Sequence, residues 1–354
     1  MDILNKTNIQ NKILRGPDLG DGENGGGGTP SSSSSSDGIN IGGLEVTKFY
    51  LGNSDDVKIY LGETLLYPKS TPPTVKDYLR FVAKDSGTFT FTPKSDAASG
   101  NVMSYSLDSG STWTSANTTS TVQSGDVVFI KGEDFAIRAN AGIGTFSSTC
   151  DFDVEGNVMS LLYGDNFEGE TDLTGKDYAL MNLFSGCTTV INADKMELPA
   201  TTLSTQCYCN MFNRAINLLK APSEMPATDL GVGCYMNMFY NCSAMTTVMD
   251  ELPATTLADS AYTQMFFNCS GFTTAPMLPA LTVSVAGYYR MFYYAKKVNS
   301  ITCLATNKTA TNAVGSWVTG VASSGTFTKN ANMTGWSRGG NGIPTNWTIL
   351  DYSG

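Results

Sequence analysis

The chain has 354 residues, only 15% of them charged, and a formal net charge of −10. An acidic chain repels phosphate backbones, so nucleic acid is not an expected partner. With no histidine present, Ser-His-Asp and Cys-His nucleophile pairs, histidine general-base catalysis and imidazole metal sites are excluded.

Glycine is abundant, at 36 residues. Together with many Ser and Thr, this is the profile of a loop-rich, mainly β chain with an uncharged polar surface. No apolar run approaches the 18 or so residues of a membrane helix, so no membrane insertion is expected. The first eight residues lack an apolar core and a small-residue cleavage site, so no secretory signal is expected there and the chain should stay in the compartment where it is made. The eight cysteines are too sparse for a secreted disulfide scaffold. Cys207 and Cys209 form a CxC without a matching pair, which argues against zinc. No cofactor is expected.

Residues 1–38 read as a head and a linker. The head carries Met1, Ile3, Leu4, Ile9, Ile13 and Leu14 in an irregular apolar pattern, followed by four glycines (25–28) and six serines (31–36). Such a tract buries too little apolar surface to offset its ordering entropy and acts as a tether. A tether matters most with something held at each end, so the head is read as an anchoring peptide that orders on a partner. The alternative is a disordered terminus.

Residues 39–73 hold a short repeat. Lys48-Phe49-Tyr50-Leu51-Gly52 recurs as Lys58-Ile59-Tyr60-Leu61-Gly62, which predicts a β-hairpin with a longer loop. About thirty residues cannot bury an independent core. The hairpin should therefore pack on a partner or on copies of itself in a homo-oligomer.

Residues 74–155 read as a β-sandwich, from alternation at Phe89-Thr90-Phe91-Thr92 and the apolar runs 127–130 and 135–137 between Gly, Asp and Ser turns. Trp113 is expected in its core. Cys150 has no second cysteine in this segment with which to pair.

Residues 156–350 contain a tandem repeat anchored on Phe184, Phe212, Phe239, Phe266 and Phe292, at steps of 28, 27, 27 and 26. Four residues earlier stand Leu180, Tyr208, Tyr235, Tyr262 and Tyr288. One residue earlier stand Leu183, Met211, Met238, Met265 and Met291. Small residues fill the positions five before and three after each anchor, and five of the cysteines fall in these two columns. There they are expected to behave as small buried hydrophobes. The first four copies are each followed by a proline motif of the Leu-Pro-Ala-Thr type, as in Leu252-Pro253-Ala254-Thr255. This spacing predicts a solenoid whose coils bury their apolar side only by stacking. Asn182, Asn210, Asn237 and Gln264, two before the anchors, are expected to form an amide ladder between coils.

These copies resemble the BspA-type leucine-rich repeats of bacterial surface proteins, on the pattern Cys-Tyr-x-x-Met-Phe-x-x-Cys (234–242) followed by Leu252-Pro253-Ala254-Thr255-Thr256-Leu257. The end of the chain, with Trp317, Gly325-Thr326-Phe327 and Gly342-Ile343-Pro344-Thr345-Asn346-Trp347, resembles a module closing such arrays in gut bacteria and their phages. Together with the sandwich and the Lys-x-Tyr-Leu-Gly hairpin, the arrangement is similar to virion proteins of crAss-like gut phages, head fibre or tail-associated. The fold class that follows is mainly β and multidomain: N-terminal anchor and linker, β-hairpin, Ig-like sandwich and leucine-rich-repeat solenoid.

The resemblance implies a non-enzymatic structural protein on the virion surface, assembled in the host cytoplasm and bound to other capsid or tail proteins through the 1–14 anchor. It also implies a symmetric oligomer, such as a trimer. One residue after each anchor, Tyr240, Phe267 and Tyr293 make an aromatic row, extended by Tyr289 and Tyr294. Such rings suit a host surface glycan or protein, or else lateral packing against the closing module or a neighbouring subunit. The alternatives are a tail-associated receptor-binding protein, a bacterial cell-surface adhesin, and a depolymerase using carboxylates such as Asp165 with Glu168 or Asp250 with Glu251.

Overall fold

The computed structural model describes strand backbone at 39–41, 44–46, 48–51, 57–61 and 64–67, and residues 76–94, 101–132 and 135–353. The anchor residues Met1 to Leu14 and the linker lie outside the described residues. The chain divides into two compact units, 1–73 and 74–354. It is mainly β, and its only described α-helix is one short turn.

In the first unit, β1 (Ile39–Ile41) and β2 (Leu44–Val46) pair antiparallel. The repeated pentapeptides supply β3 (Lys48–Leu51) and β4 (Val57–Leu61), which pair antiparallel with Phe49 opposite Ile59. A further strand, β5 (Thr64–Tyr67), joins β4 across a bulge at Ile59 and Tyr60.

The second unit begins with two facing sheets. The larger has β6 (Leu79–Ala83) at its centre, flanked by β10 (Val127–Lys131) and β12 (Phe152–Asn157). It continues through β8 (Ser104–Ser106) to β9 (Thr114–Ser115). The smaller pairs β7 (Phe89–Pro93) with β11 (Gly144–Ser148). Alternation on β6 buries Leu79, Phe81 and Ala83, and the period of two sends them all to the inner face. There Phe81 meets Phe89, Phe146 and Phe152 with ring centroids 4.9–5.0 Å apart. Cys150 is buried and unpaired. Trp113 is only half-buried: it packs edge-on against Tyr78 and carries the Lys131 ammonium 4.5 Å from its ring centre.

The larger sheet does not stop at the sandwich. Beyond β12 comes β13 (Val190–Glu197), which pairs with it in parallel. After β12 the chain makes the helical turn α1 (Ser160–Tyr163) and then winds into stacked coils. Parallel bridges repeat from coil to coil, as at Asn192 with Lys220 and Lys220 with Thr247. The ladder ends in β14 (Ser300–Cys303), β15 (Thr326–Lys329) and β16 (Thr348–Asp351), all parallel.

The opposite wall of each coil is built from turns. In the coil around Phe212, the N–H groups of Cys207, Cys209, Met211 and Asn213 each donate to the carbonyl three residues back. The intervening N–H groups, of Tyr208, Asn210, Phe212 and Arg214, donate to the next coil, at Cys234, Met236, Met238 and Tyr240. Every donor in this run is satisfied, as a buried backbone requires. The arrangement needs a left-handed residue at every fourth position. Gln206, Asn210 and Arg214 have φ of 52°, 56° and 61°, a positive φ at the third place of a turn, as in type II turns.

This corrects the expected amide ladder. Asn182, Asn210, Asn237, Gln264 and Arg290 all lie at φ between 51° and 63°, so that column is chosen for backbone conformation, which Asn tolerates well. Asn237 Oδ1 is buried without a partner. The amide bond between coils forms four residues later, where Asn268 Nδ2 donates to Asn241 Oδ1 at 2.9 Å.

Inside the stack the anchors form a column. Phe184, Phe212, Phe239, Phe266 and Phe292 follow one another at 5.2–5.7 Å with planes within 11°. Tyr208, Tyr235, Tyr262 and Tyr288 form a second column at 5.6–6.0 Å. The stack has one coil more than the five aligned copies. Phe292 donates to the Trp317 carbonyl and Tyr294 to that of Thr319, which puts Val318 at the anchor position and Trp317 in the methionine column. Trp317 then stacks on Trp336 at 5.5 Å, and its Nε1 donates to the Gly342 carbonyl at 2.8 Å, closing the array.

Candidate binding face

The turn wall positions the aromatic row. The residue after each anchor leaves the core, because its neighbours on both sides point inward or carry the left-handed backbone. Tyr240, Phe267 and Tyr293 therefore emerge in register on three successive coils. Tyr240 and Phe267 stack at 4.5 Å with 13° between planes, and Phe267 and Tyr293 at 4.9 Å with 16°. Tyr294 meets Tyr293 edge-on at 4.6 Å and is 45% exposed. Tyr289 joins through Arg290, whose guanidinium lies 5.0 Å from the Tyr289 ring centre and 5.4 Å from that of Tyr293. All five candidate residues thus belong to one contiguous surface.

Their geometry limits what they can hold. The stacked rings cover one another's faces, leaving mainly edges and hydroxyls for a ligand. Among the described residues no other ring stacks on the outer side of Tyr240, where Asn213 takes the place of an aromatic one coil earlier. Tyr289 and Tyr294 also serve the fold: their rings lie over Gly315 and Gly320 of the next coil. A Cβ there would come within 2.9 Å and 2.7 Å of them.

Of the carboxylates considered for catalysis, Asp165 and Glu168 are occupied. Asp165 accepts from the Tyr78 hydroxyl at 2.6 Å and from Lys131 Nζ at 2.8 Å, while Glu168 pairs with Lys76 at 3.3 Å. The hydrogen bond from Lys131, then that from Tyr78, holds the Asp165 carboxyl below the usual carboxylate range, opposite to what a general acid needs. Among the described residues no cluster of acids and cysteines has the geometry of a metal site, and no helix is long and apolar enough to cross a membrane.

A second concavity, of about 520 Å³, went unnoticed in the sequence. It is lined by Asp77, Arg80, Asp194, Lys195, Glu197 and Glu224, among others. Its signal was the residue before the first three of the four Leu-Pro or Met-Pro pairs: Glu197, Glu224 and Glu251 fall in one column. Arg80 and Lys195 both reach Glu155, at 3.2 Å and 3.0 Å. Partial loss of water around the Glu197 carboxyl, then the charge and hydrogen bond of Asp77, push that carboxyl up.

No protein-family model, curated protein or solved structure matches the chain.

Proposed function

We propose that the chain is a non-enzymatic virion protein of a crAss-like gut phage, a head fibre or capsid decoration. On this reading residues 1–38 anchor it to another virion protein, and an Ig-like sandwich carries a BspA-like leucine-rich-repeat solenoid outward. The solenoid meets a host surface glycan or protein. The observation that carries the adhesive role is the continuous row Tyr240, Phe267, Tyr293 and Tyr294, presented on a wall whose backbone hydrogen bonds are already spent inside the stack. Rigid aromatics supply contact area with little entropy to lose on binding. What the row offers a sugar or a protein side chain is ring edges, with the hydroxyls of Tyr240, Tyr293 and Tyr294 beside them.

Mass spectrometry and electron microscopy of purified particles from the source test the setting. Stoichiometric copies on the capsid, with 1–38 ordered against a neighbour, are expected. Copies on the tail would favour a receptor-binding protein, and copies on cell envelopes without particles would make the chain a bacterial adhesin. Host-cell binding by the purified protein tests the face: Tyr240→Ala should weaken it at least tenfold while leaving the thermal transition in place.

A further inference from the structure

We propose that β16 is a dimerisation strand, pairing antiparallel with β16 of a second copy of this chain about a two-fold axis.

The parallel ladder that starts at β12 ends at β16, and among the described residues no strand pairs with its outer edge. All four residues of β16 are exposed. Exposed apolar side chains concentrate there, with Ile349 at 36%, Leu350 at 51% and Tyr352 at 39%. Open edges are normally protected by lysines, prolines or bulges. Here the edge has no proline, and its one charge, Asp351, is paired with Lys329 of the neighbouring strand.

The hydrogen-bond directions permit a self-complementary register, and the exposed Leu350 places its axis. The N–H groups of Thr348 and Tyr352 donate inward, to the carbonyls of Gly325 and Lys329. Alternation along a strand then turns the backbone groups of Leu350 inward and those of Ile349 and Asp351 outward. A two-fold axis at Leu350 sets Ile349 opposite Asp351 of the second copy, and Asp351 opposite its Ile349. Both are hydrogen-bonded pairs, so four bonds form. Leu350 then faces its own copy in the close, non-hydrogen-bonded position, where Cα atoms approach to about 4.5 Å. On the same face Tyr352 lies opposite Thr348. The exposed Leu350 and Tyr352 are thus covered by the same step that pairs the edge, and an isologous contact of this kind closes on itself.

Full-length protein carrying Leu350→Cys tests the register. Mild oxidation should give a covalent dimer, because a non-hydrogen-bonded pair lies within disulfide reach. Thr348→Cys, equally exposed, should give none, because the two-fold register places its copies roughly 13 Å apart along the strands, four residues of about 3.3 Å each. The eight native cysteines are buried and leave the readout clean. Sedimentation equilibrium supplies the second measurement. Leu350→Lys brings two charges together at the axis and should halve the mass of whatever assembly the unmodified chain forms. An unchanged mass, a monomeric unmodified chain, or equal cross-linking of the two cysteine variants would overturn the proposal.

Discussion

Phe146 and Phe184 stack with ring centroids 5.7 Å apart and 23° between planes. This contact joins two cores: Phe146 belongs to the facing sheets, and Phe184 is the first ring of the anchor column. Phe184 also meets Phe81 at 5.9 Å and Phe212 at 5.2 Å. The β12–β13 pairing crosses the same junction. Residues 74–354 should therefore unfold as one cooperative body at this end, with no separate sandwich transition. Phe184→Ala should cost about 3–5 kcal/mol. Denaturant melts followed by both fluorescence and circular dichroism would check it, since separated midpoints for the two probes would show two independent bodies.

What could be read in the sequence was whatever repeats by residue type. The Phe and Tyr columns were legible because each position demands one bulky ring in every coil. The sixth coil was not, because Val318 and Trp317 stand where Phe and Met were the template. Within the turn wall the mistaken column is instructive. Asn210 and Asn237 were read by their side chains, yet their positions are set by a backbone φ near 56°. The pattern was present as a period of four, in Gln206, Asn210 and Arg214 or in Gly233, Asn237 and Asn241, but Asn or Gly fills only some of these places. The aromatic row was legible as a row. Its stacking, which hides most of the ring faces, depends on coil spacing that no single sequence displays.

The left-handed positions give a direct stability test. Ala286 has φ of 52°, a conformation that costs a residue with a Cβ about 1–2 kcal/mol. Glycine removes that cost and adds back roughly 0.5–1 kcal/mol through a freer unfolded chain. Ala286→Gly should therefore leave stability unchanged or raise it by up to about 1.5 kcal/mol, where a glycine inside ordinary strand would lower it. Asn241→Ala keeps a φ of 60° and loses the amide bond from Asn268, so it should cost about 1–2 kcal/mol. Urea midpoints of the two variants should move in opposite directions, or only the second should move.

All eight cysteines are buried and unpaired, and the thiols of Cys242 and Cys269 donate to the Phe212 and Phe239 carbonyls at 3.0 Å and 2.8 Å. Burial pushes the Cys209 and Cys303 thiols up to about 12. Thiolate, the reactive form, is then scarce at any ordinary pH. The native chain should show no thiol to Ellman's reagent at pH 8, and eight after denaturation. Fast labelling of the native protein would mean that a coil opens readily.

The cleft between Asp77 and Glu197 should leave a mark on the pH dependence of stability. The Glu197 carboxyl is raised above its ordinary value of 4.5 by loss of water, then by Asp77, with Glu224 adding to the effect and Arg80 opposing it. A carboxyl raised in the folded state binds its proton more tightly there than in the unfolded chain. Its contribution favours the fold below its ordinary value, and that advantage is lost as pH rises through the folded value. Glu197→Gln keeps the shape, removes the charge and offers an N–H to Asp77. The variant should melt higher than the unmodified chain at pH 7–8, with the difference shrinking as pH falls toward 4. Thermal melts across that range decide it: a variant that melts lower at pH 7 would mean that Glu197 is stabilised as a carboxylate by Arg80, and a difference independent of pH would mean that its titration contributes nothing.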